Sequence, residues 1–295
     1  MKMEKAAAKQ GRKQRGQAAE VWHQLKKNKG AMIGLALIIL IVLATVAANV
    51  FLDYDTQVIG MNVKERLQRP SLRHFMGTDD MGRDIFWRIL YGAKYSLSVG
   101  VVAVMIALLI GVPLGAIAGY FGGILEDVIM RITDIFAAVP NILMAIVVVS
   151  ALGQGMGNLM IAVGLCSIPQ FVRITRASVL TVRDQEYVEA ARAVGRSEMQ
   201  IIFGHVLPNC LSPIIVQTTL RTASAIITAA ALSYLGLGVV PPTPEWGAML
   251  SHGRNFIRTD SHLTLFPGLA IMVTVLALNL LGDGLRDALD PKLRK

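Results

Sequence analysis

A series of long apolar runs constrains this chain more than any other feature. The first, Gly30 to Leu52, contains no charged residue, and an α-helix needs about 20 apolar residues to cross the hydrocarbon core of a bilayer. Five more cover residues 95–120, 128–152, 159–172 (lengthened by the helical turns that follow), 212–235 and 263–281. Inside lipid only helices and closed barrels satisfy every backbone polar group. The sequence therefore predicts an all-α polytopic membrane protein with six transmembrane helices.

The composition supports this fold class. Hydrophobic residues make up 54% of the 295 residues, charged residues make up 17%, and the mean hydropathy is +0.53. A soluble domain needs more charge than this on its surface. The two cysteines, Cys166 and Cys210, lie in different segments, so we expect no disulfide framework. The first apolar run is too long for a signal peptide, and we expect no cleavable signal.

Residues 1–29 form a basic tail with nine lysines and arginines and two acids. Such a tail can bind nucleic acid, but beside a long apolar run it is better explained by membrane orientation and anionic lipid. We therefore expect a cytoplasmic tail, an interfacial helix at 21–29 anchored by Trp22, and no nucleic-acid partner. Six crossings place both termini in the cytoplasm.

Residues 53–94 follow as an external segment with seven basic and six acidic residues. Several of its charged residues are spaced for ion pairs along a helix: Asp79, Asp80, Arg83, Asp84 and Arg88. The clustered acids could indicate a metal site, but no histidine stands at a suitable helical spacing. We expect no metal here.

Glycines recur every four residues in the second span, at Gly111, Gly115 and Gly119. This spacing predicts a smooth strip against which another helix packs closely. In the third span Pro140 and Asn141 interrupt the helix, and a broken helix at that depth needs protein or a cavity beside it. These two residues are candidates for the lining of a transport pathway, the alternative being a plain kink.

The fifth span carries one charge, Arg221. An arginine within a transmembrane helix usually faces a cavity or a partner, which makes Arg221 a third candidate for pathway lining. The alternative is that its long side chain reaches the membrane interface.

A polar segment, residues 186–209, separates the fourth and fifth spans. It predicts a helix that Asp184 caps and that runs to Val194, with Gly195 in the left-handed conformation that ends many helices. A second helix is expected to begin with a capping box between Ser197 and Gln200.

Pro208 is expected to stop that second helix. On the first helix, the three-and-four spacing predicts one shared face: Tyr187, Ala190, Ala191 and Val194. From spacing alone, the segment could be an amphipathic hairpin that only links two spans.

The residues Glu189, Ala190 and Ala191, followed by Gly195 and Leu207-Pro208, resemble the EAA loop of binding-protein-dependent ABC import permeases. His205 stands where that family usually has isoleucine. Three further stretches look like the C-type permease subunit of the dipeptide/oligopeptide subfamily: 77–100, 241–250 and 282–293. The resemblance covers nearly the whole chain after Trp22.

This resemblance implies a type I ABC importer permease fold over residues 30–295, with a cytoplasmic coupling loop at 173–211. The residues it implies for docking on an ATPase are Tyr187, Glu189, Ala190, Ala191, Gly195, Leu207 and Pro208. It also implies a homologous permease as heterodimer partner, two ABC ATPase subunits, an extracytoplasmic binding protein and alternating access in the inner membrane of a prokaryote.

A membrane enzyme is the alternative from a different class. The chain contains no HExxH, no Gly-x-Ser-x-Gly and no Walker A loop, so we expect no catalytic residue and no cofactor of its own. ATP and magnesium would then be bound by the partner ATPases. The substrate expected from the resemblance is a dipeptide or oligopeptide, with nickel chelates and glutathione as alternatives.

Overall fold

The computed structural model describes residues 17–290, so the basic tail before residue 17 and the chain end after residue 290 lie outside the described residues. Within that range the regular elements are all helical. In chain order they are α1 (Gln17–Leu25), α2 (Lys29–Phe51), α3 (Ile85–Phe121), α4 (Gly123–Ala138), α5 (Asn141–Leu152), α6 (Met156–Val182), α7 (Glu186–Ala193), α8 (Glu198–Ile201), α9 (Leu207–Asn209), α10 (Leu211–Tyr234), α11 (Trp246–Gly253) and α12 (His262–Leu289).

Five of these helices are long and apolar enough to cross a membrane, namely α2, α3, α6, α10 and α12. Helices α4 and α5 form a further span if they are taken together, bent by 91°. The bend confirms the predicted break, because Val139 is extended as the residue before a proline prefers to be. The all-helical class is therefore confirmed, with five spans or six according to how the bent pair is counted.

Two helix boundaries differ from the sequence prediction. Helix α3 begins at Ile85, well before the expected 95, because the Asp84 carboxylate accepts hydrogen bonds from the backbone N–H groups of Phe86 and Trp87. Such a side-chain cap satisfies donors that the first helical turn leaves free. Helix α4 begins at Gly123, before the expected 128, since only Gly122 separates it from α3.

The most extensive helix contact joins α3 to α6 along the glycine strip. A Cβ atom on Gly115 would lie 2.5 Å from the Val172 carbonyl oxygen, and one on Gly111 would lie 2.6 Å from the Phe171 Cβ. A Cβ on Gly119 would meet the next turn of α6 at 2.9 Å. The two backbones therefore touch over two helical turns.

One end of the bundle carries a folded layer, which we call the cap, made of residues 53–84 and 236–261. Trp246 is buried there and donates its ring N–H to the Ile89 carbonyl at 3.0 Å. Glu245 is also buried and accepts from the backbone N–H groups that open α11, while burial raises the pKa of its carboxyl. These contacts fix the cap to the first turns of α3.

The ion pairs expected along a helix lie instead in the turn before α3. Asp79 pairs with Arg83 at 2.7 Å and lies 3.7 Å from Arg88. The other acids meet histidines: His74, ten residues before Asp84, has its Nδ1 2.7 Å from that carboxylate. His252, from the second cap segment, has its Nε2 2.5 Å from Asp80. The prediction that these residues lie along one helix is wrong, because the chain turns at Gly82. The charged side chains do form ion pairs.

At the opposite end of the bundle, α1 packs on the last turns of α12. Leu25 and Ala31 are buried against Ala288, and the Asn28 amide donates to Asp287 at 3.1 Å. Trp22 remains 44% exposed, with the Lys26 amine 5.1 Å from its ring centre. The first and last parts of the described chain thus hold each other.

Replacing Gly115 by Leu is expected to force α3 and α6 apart, because even the first side-chain atom would overlap the α6 backbone. The substitution should lower the free energy of unfolding by about 3 kcal/mol, the upper end of the usual cost of overpacking. Thermal unfolding of the purified protein in detergent measures the effect. Gly157→Leu is the matched control, since a Cβ there meets nothing within 4 Å; equal melting temperatures for the two variants would contradict this packing.

Candidate functional site

The 186–209 segment forms a compact hairpin at the end of the bundle opposite the cap. Gly195 adopts φ +84° and turns the chain between α7 and α8. The Ser197 side chain accepts from the Gln200 N–H, and the Gln200 side chain accepts from the Ser197 N–H at 3.2 Å. The left-handed glycine and the capping box are both confirmed.

Three details of the segment were predicted wrongly. Gln185, not Asp184, is the residue before α7, and its side chain forms no capping bond. The helix ends at Ala193, so Val194 lies outside it. Pro208 does not stop a helix but lies in the first turn of α9, after a π-helical turn at Ile202–Val206. The missing N–H of a proline is harmless in the first turn of a helix.

The inward face of the hairpin is apolar and packs on the ends of three spans. Val188, Ile201, Ile202 and Val206 are fully buried against a cluster that includes Val179. Sequence reasoning missed Val188, because it assigned the apolar face of α7 to Tyr187, Ala190, Ala191 and Val194. The sequence did contain a signal, because Val188 lies three positions before Ala191 and is more apolar than its neighbour Tyr187.

The outward face carries exposed apolar side chains among charges. Tyr187 is 42% exposed, Val194 83%, Met199 50% and Phe203 56%. Glu189 and Ala190 are exposed beside them, and Ala191 is half-buried. Of the remaining predicted docking residues, Leu207 is half-buried and Pro208 is exposed. Exposed apolar side chains of this kind are typical of surfaces that bind a protein or a membrane.

A polar network fastens the hairpin to the end of α3. The Tyr120 hydroxyl donates to the Glu198 carboxylate and accepts from the Arg192 guanidinium at 3.0 Å. The bond with Tyr120 raises the pKa of Arg192 above its ordinary value, so this arginine keeps its charge. Sequence reasoning missed the network, since its members are distant along the chain.

Further bonds tie the neighbouring helices together at the same end. The Arg183 guanidinium donates to the Gly119 carbonyl at 2.9 Å, and Arg176 pairs with Glu126 of α4. Asp134 has Arg131 one turn away on the same helix but meets Arg173 of α6 at 2.7 Å. The hairpin is therefore part of one connected body with α3, α4 and α6.

The three candidates for pathway lining are not brought into one cluster. Pro140 and Asn141 are exposed at the bend between α4 and α5, while Arg221 is half-buried on α10. Arg221 forms no hydrogen bond or ion pair with any residue in 17–290. It lies on a polar stripe of α10, at the helical spacing of Gln217, Arg221, Ser224 and Thr228.

A cavity of about 220 Å³ lies between α3, α4 and α6. Its walls are almost entirely apolar, with Leu114, Phe136 and Ile168 among them, so it offers little to a charged substrate. Among the described residues, no group of three or more His, Cys, Asp or Glu side chains is placed to hold a metal ion.

Two known protein families match parts of this sequence. The family described as "Binding-protein-dependent transport system inner membrane component" matches residues 111–295. A second family, "N-terminal TM domain of oligopeptide transport permease C", matches residues 16–70. Together the two matches include the first span and every helix from α4 onwards.

Curated relatives match over nearly their full lengths. The dipeptide transport system permease protein DppC of Alkalihalophilus pseudofirmus is 49% identical over 275 residues, which are 93% of this chain and 90% of the relative. The glutathione transport system permease protein GsiD of Pectobacterium atrosepticum is 44% identical, covering 93% and 91%. DppC of Haemophilus influenzae is 42% identical, covering 94% and 95%.

Among solved structures, a chain of the MetNI methionine ABC transporter in inward-facing conformations superposes with a TM-score of 0.58. It is 19% identical and matches 70% of this chain and 98% of its own length, which shows a common fold. With the two family matches and the identities above, the chain belongs to the family of binding-protein-dependent transport system inner membrane components, the permease subunits of ABC importers, in its dipeptide/oligopeptide branch.

Proposed function

We propose that this chain imports dipeptides or oligopeptides as one permease subunit of an ATP-driven transporter. The observation that supports a peptide substrate is the 49% identity to a dipeptide permease over 93% of the chain. The glutathione permeases at 44–46% identity keep glutathione as the second candidate, and nickel chelates remain a third. An extracytoplasmic binding protein delivers the substrate to the external face.

The energy comes from partner subunits, since the sequence has no Walker A loop. Two ABC ATPases bind ATP and magnesium, and a homologous permease completes the membrane heterodimer. ATP binding closes the ATPases, draws the coupling loops of the two permeases together and opens the pathway outward; hydrolysis and product release reset it. The chain itself performs no catalysis.

The hairpin of α7 to α9 is the element on which an ATPase docks. Tyr187, Val194, Met199 and Phe203 supply exposed apolar area for a groove on that subunit. Glu189 either meets a basic group of the ATPase or braces the hairpin. Because Tyr120 and the buried Val188 hold the hairpin to the bundle, a displacement of the docked surface moves α3 and α6 with it.

The orientation follows from the positive-inside rule. The basic tail at 1–29, the coupling loop at 173–211 and the C-terminus face the cytoplasm, while the cap faces outward. The protein is placed in the cytoplasmic membrane of a prokaryote as a multi-pass protein in contact with lipid. The candidates for pathway lining in this arrangement are Pro140, Asn141 and Arg221.

Cysteine labelling tests this orientation. Ser197→Cys should react only with reagents applied from the cytoplasmic side, and Gln154→Cys and Thr243→Cys only from outside. The native Cys166 and Cys210 are buried and provide the unlabelled background. Labelling of any one of the three cysteines from the opposite side of the membrane would refute the proposed topology.

Substrate selectivity is expected to follow the cognate binding protein. A binding screen on that purified protein should give saturable binding of dipeptides or longer peptides. Stronger binding of glutathione or of a nickel chelate than of any peptide would overturn the proposed substrate while leaving the transporter class unaffected.

Gly195→Asp is expected to insert and fold but to lose ATPase docking and uptake. A Cβ at Gly195 meets no atom within 4 Å, so the side chain projects into the partner, and strain at positive φ costs only about 1 kcal/mol. Glu189→Lys should weaken coupling less. The measurements are ATPase co-purification and peptide uptake in the same vesicles.

Gly236→Asp provides the matched control for this experiment. Gly236 has φ +82° and an equally open environment, but it lies in the cap. It should retain docking. Wild-type docking and uptake in Gly195→Asp would show that the hairpin is only a linker.

A further inference from the structure

The outer surface of the cap between residues 61 and 75 is basic. Lys64, Arg66 and Arg69 are exposed there and form no ion pair with any residue that the structure describes. Large apolar side chains are exposed among them, with Met61 at 65% and Leu72 at 94%. We call these five residues the basic patch.

The acidic side chains between residues 65 and 84 are mostly buried in the cap. Glu65 has a side chain only 16% exposed and pairs with Arg73 at 2.6 Å. Asp79, Asp80 and Asp84 are held inside the cap by the arginine and histidine contacts described above, and their side chains are 9–12% exposed. Asp53 and Asp55 are exposed where the cap follows α2, but within residues 61–84 the exposed charged side chains are all basic.

Local backbone structure produces this separation of charge. Leu67 adopts φ +53°, which is costly for a residue other than glycine, and its N–H donates to the Asp79 carbonyl at 3.0 Å. The side chain packs against the apolar cluster around Trp246, while Arg66 and Arg69 on either side remain exposed. The strained residue thus fixes its basic neighbours on the outside.

The segment is firmly held to the cap. The Asn62 N–H donates to the Met81 carbonyl, and the Thr78 N–H donates to the Gln68 carbonyl, both at 3.0 Å. A Cβ on Gly82 would lie 1.8 Å from the Asn62 carbonyl oxygen, so the two chain segments touch. The basic patch is a formed surface, which lowers the ordering cost of binding to it.

The patch lies at the end of α3 where aromatic and basic side chains are grouped. Tyr54 stacks on Tyr91 at 5.3 Å, and the Lys94 amine lies 4.0 Å from the Tyr91 ring centre; aromatic and basic residues of this kind mark the membrane–water interface. Ile85 precedes Tyr91 by six residues on α3, about 9 Å along the helix axis. The patch packs on the turn that precedes Ile85, at the N-terminal end of α3, which favours a protein partner over lipid headgroups.

We propose that the basic patch is the docking surface for an acidic face of the extracytoplasmic binding protein, an inference that rests on the proposed function. Lys64, Arg66 and Arg69 attract and orient the incoming protein, because complementary charges chiefly raise association rates. Met61 and Leu72 provide apolar area that such a contact buries. The patch thereby aligns a loaded binding protein over the permease.

The test uses the whole transporter in nanodiscs of zwitterionic phosphatidylcholine and the purified cognate binding protein. The triple variant Lys64→Ser, Arg66→Ser, Arg69→Ser should bind about tenfold more weakly, as expected for the loss of three exposed ion pairs. Its association rate should also lose most of its dependence on salt. The charge-retaining triple Lys64→Arg, Arg66→Lys, Arg69→Lys should bind like wild type.

Arg258→Ser removes an exposed charge elsewhere in the cap and should leave binding unchanged. Equal affinity and salt dependence for wild type and the serine triple would overturn the docking surface while the proposed function stands. An effect of the triple only in nanodiscs with anionic phosphatidylglycerol would assign the patch to lipid instead. Failure of the wild-type transporter to bind the binding protein at all would refute both proposals.

Discussion

The backbone contact between α3 and α6 is the interaction on which the rest of the molecule depends. Lipid supplies no hydrophobic force to drive one helix onto another, so close packing must hold the bundle together. Gly111 and Gly115 permit that approach, because any side chain there would overlap the backbone of α6. The hairpin of α7 to α9 is fastened to the end of α3, and the cap to its beginning. A displacement at either end thus acts on the same rigid pair of helices.

Sequence patterns predicted the local features of this architecture well. Apolar runs gave the spans, Pro140 gave the break between α4 and α5, and Gly195 with the Ser197 capping box gave the turn of the hairpin. Each of these depends on residues within one or two helical turns, where spacing and backbone preference decide the outcome.

Contacts between distant residues could not be predicted in the same way. Asp134 has Arg131 one turn away but pairs with Arg173 on another helix, because packing of α4 on α6 brings the latter closer. His74 and His252 come from separate loops to meet Asp84 and Asp80. The docking residues remain predictions. The role of Tyr187 and Val194 depends on contacts with a partner subunit, and the sequence of this chain does not encode those contacts.

The contact between the start of α2 and the end of α12 has a consequence for biogenesis. Ala31 packs so closely on Gly284 that a Cβ there would lie 2.1 Å from the alanine Cβ, and Asn28 bonds to Asp287. Helix α12 is synthesised long after α2, yet α2 needs this late neighbour to bury Ala31. Helix α2 can pack on α3 early, since Asn49 bonds to the Tyr91 carbonyl. Its face around Ala31 stays uncovered until α12 is inserted, and loss of the final turns of α12 would leave that face without its partner.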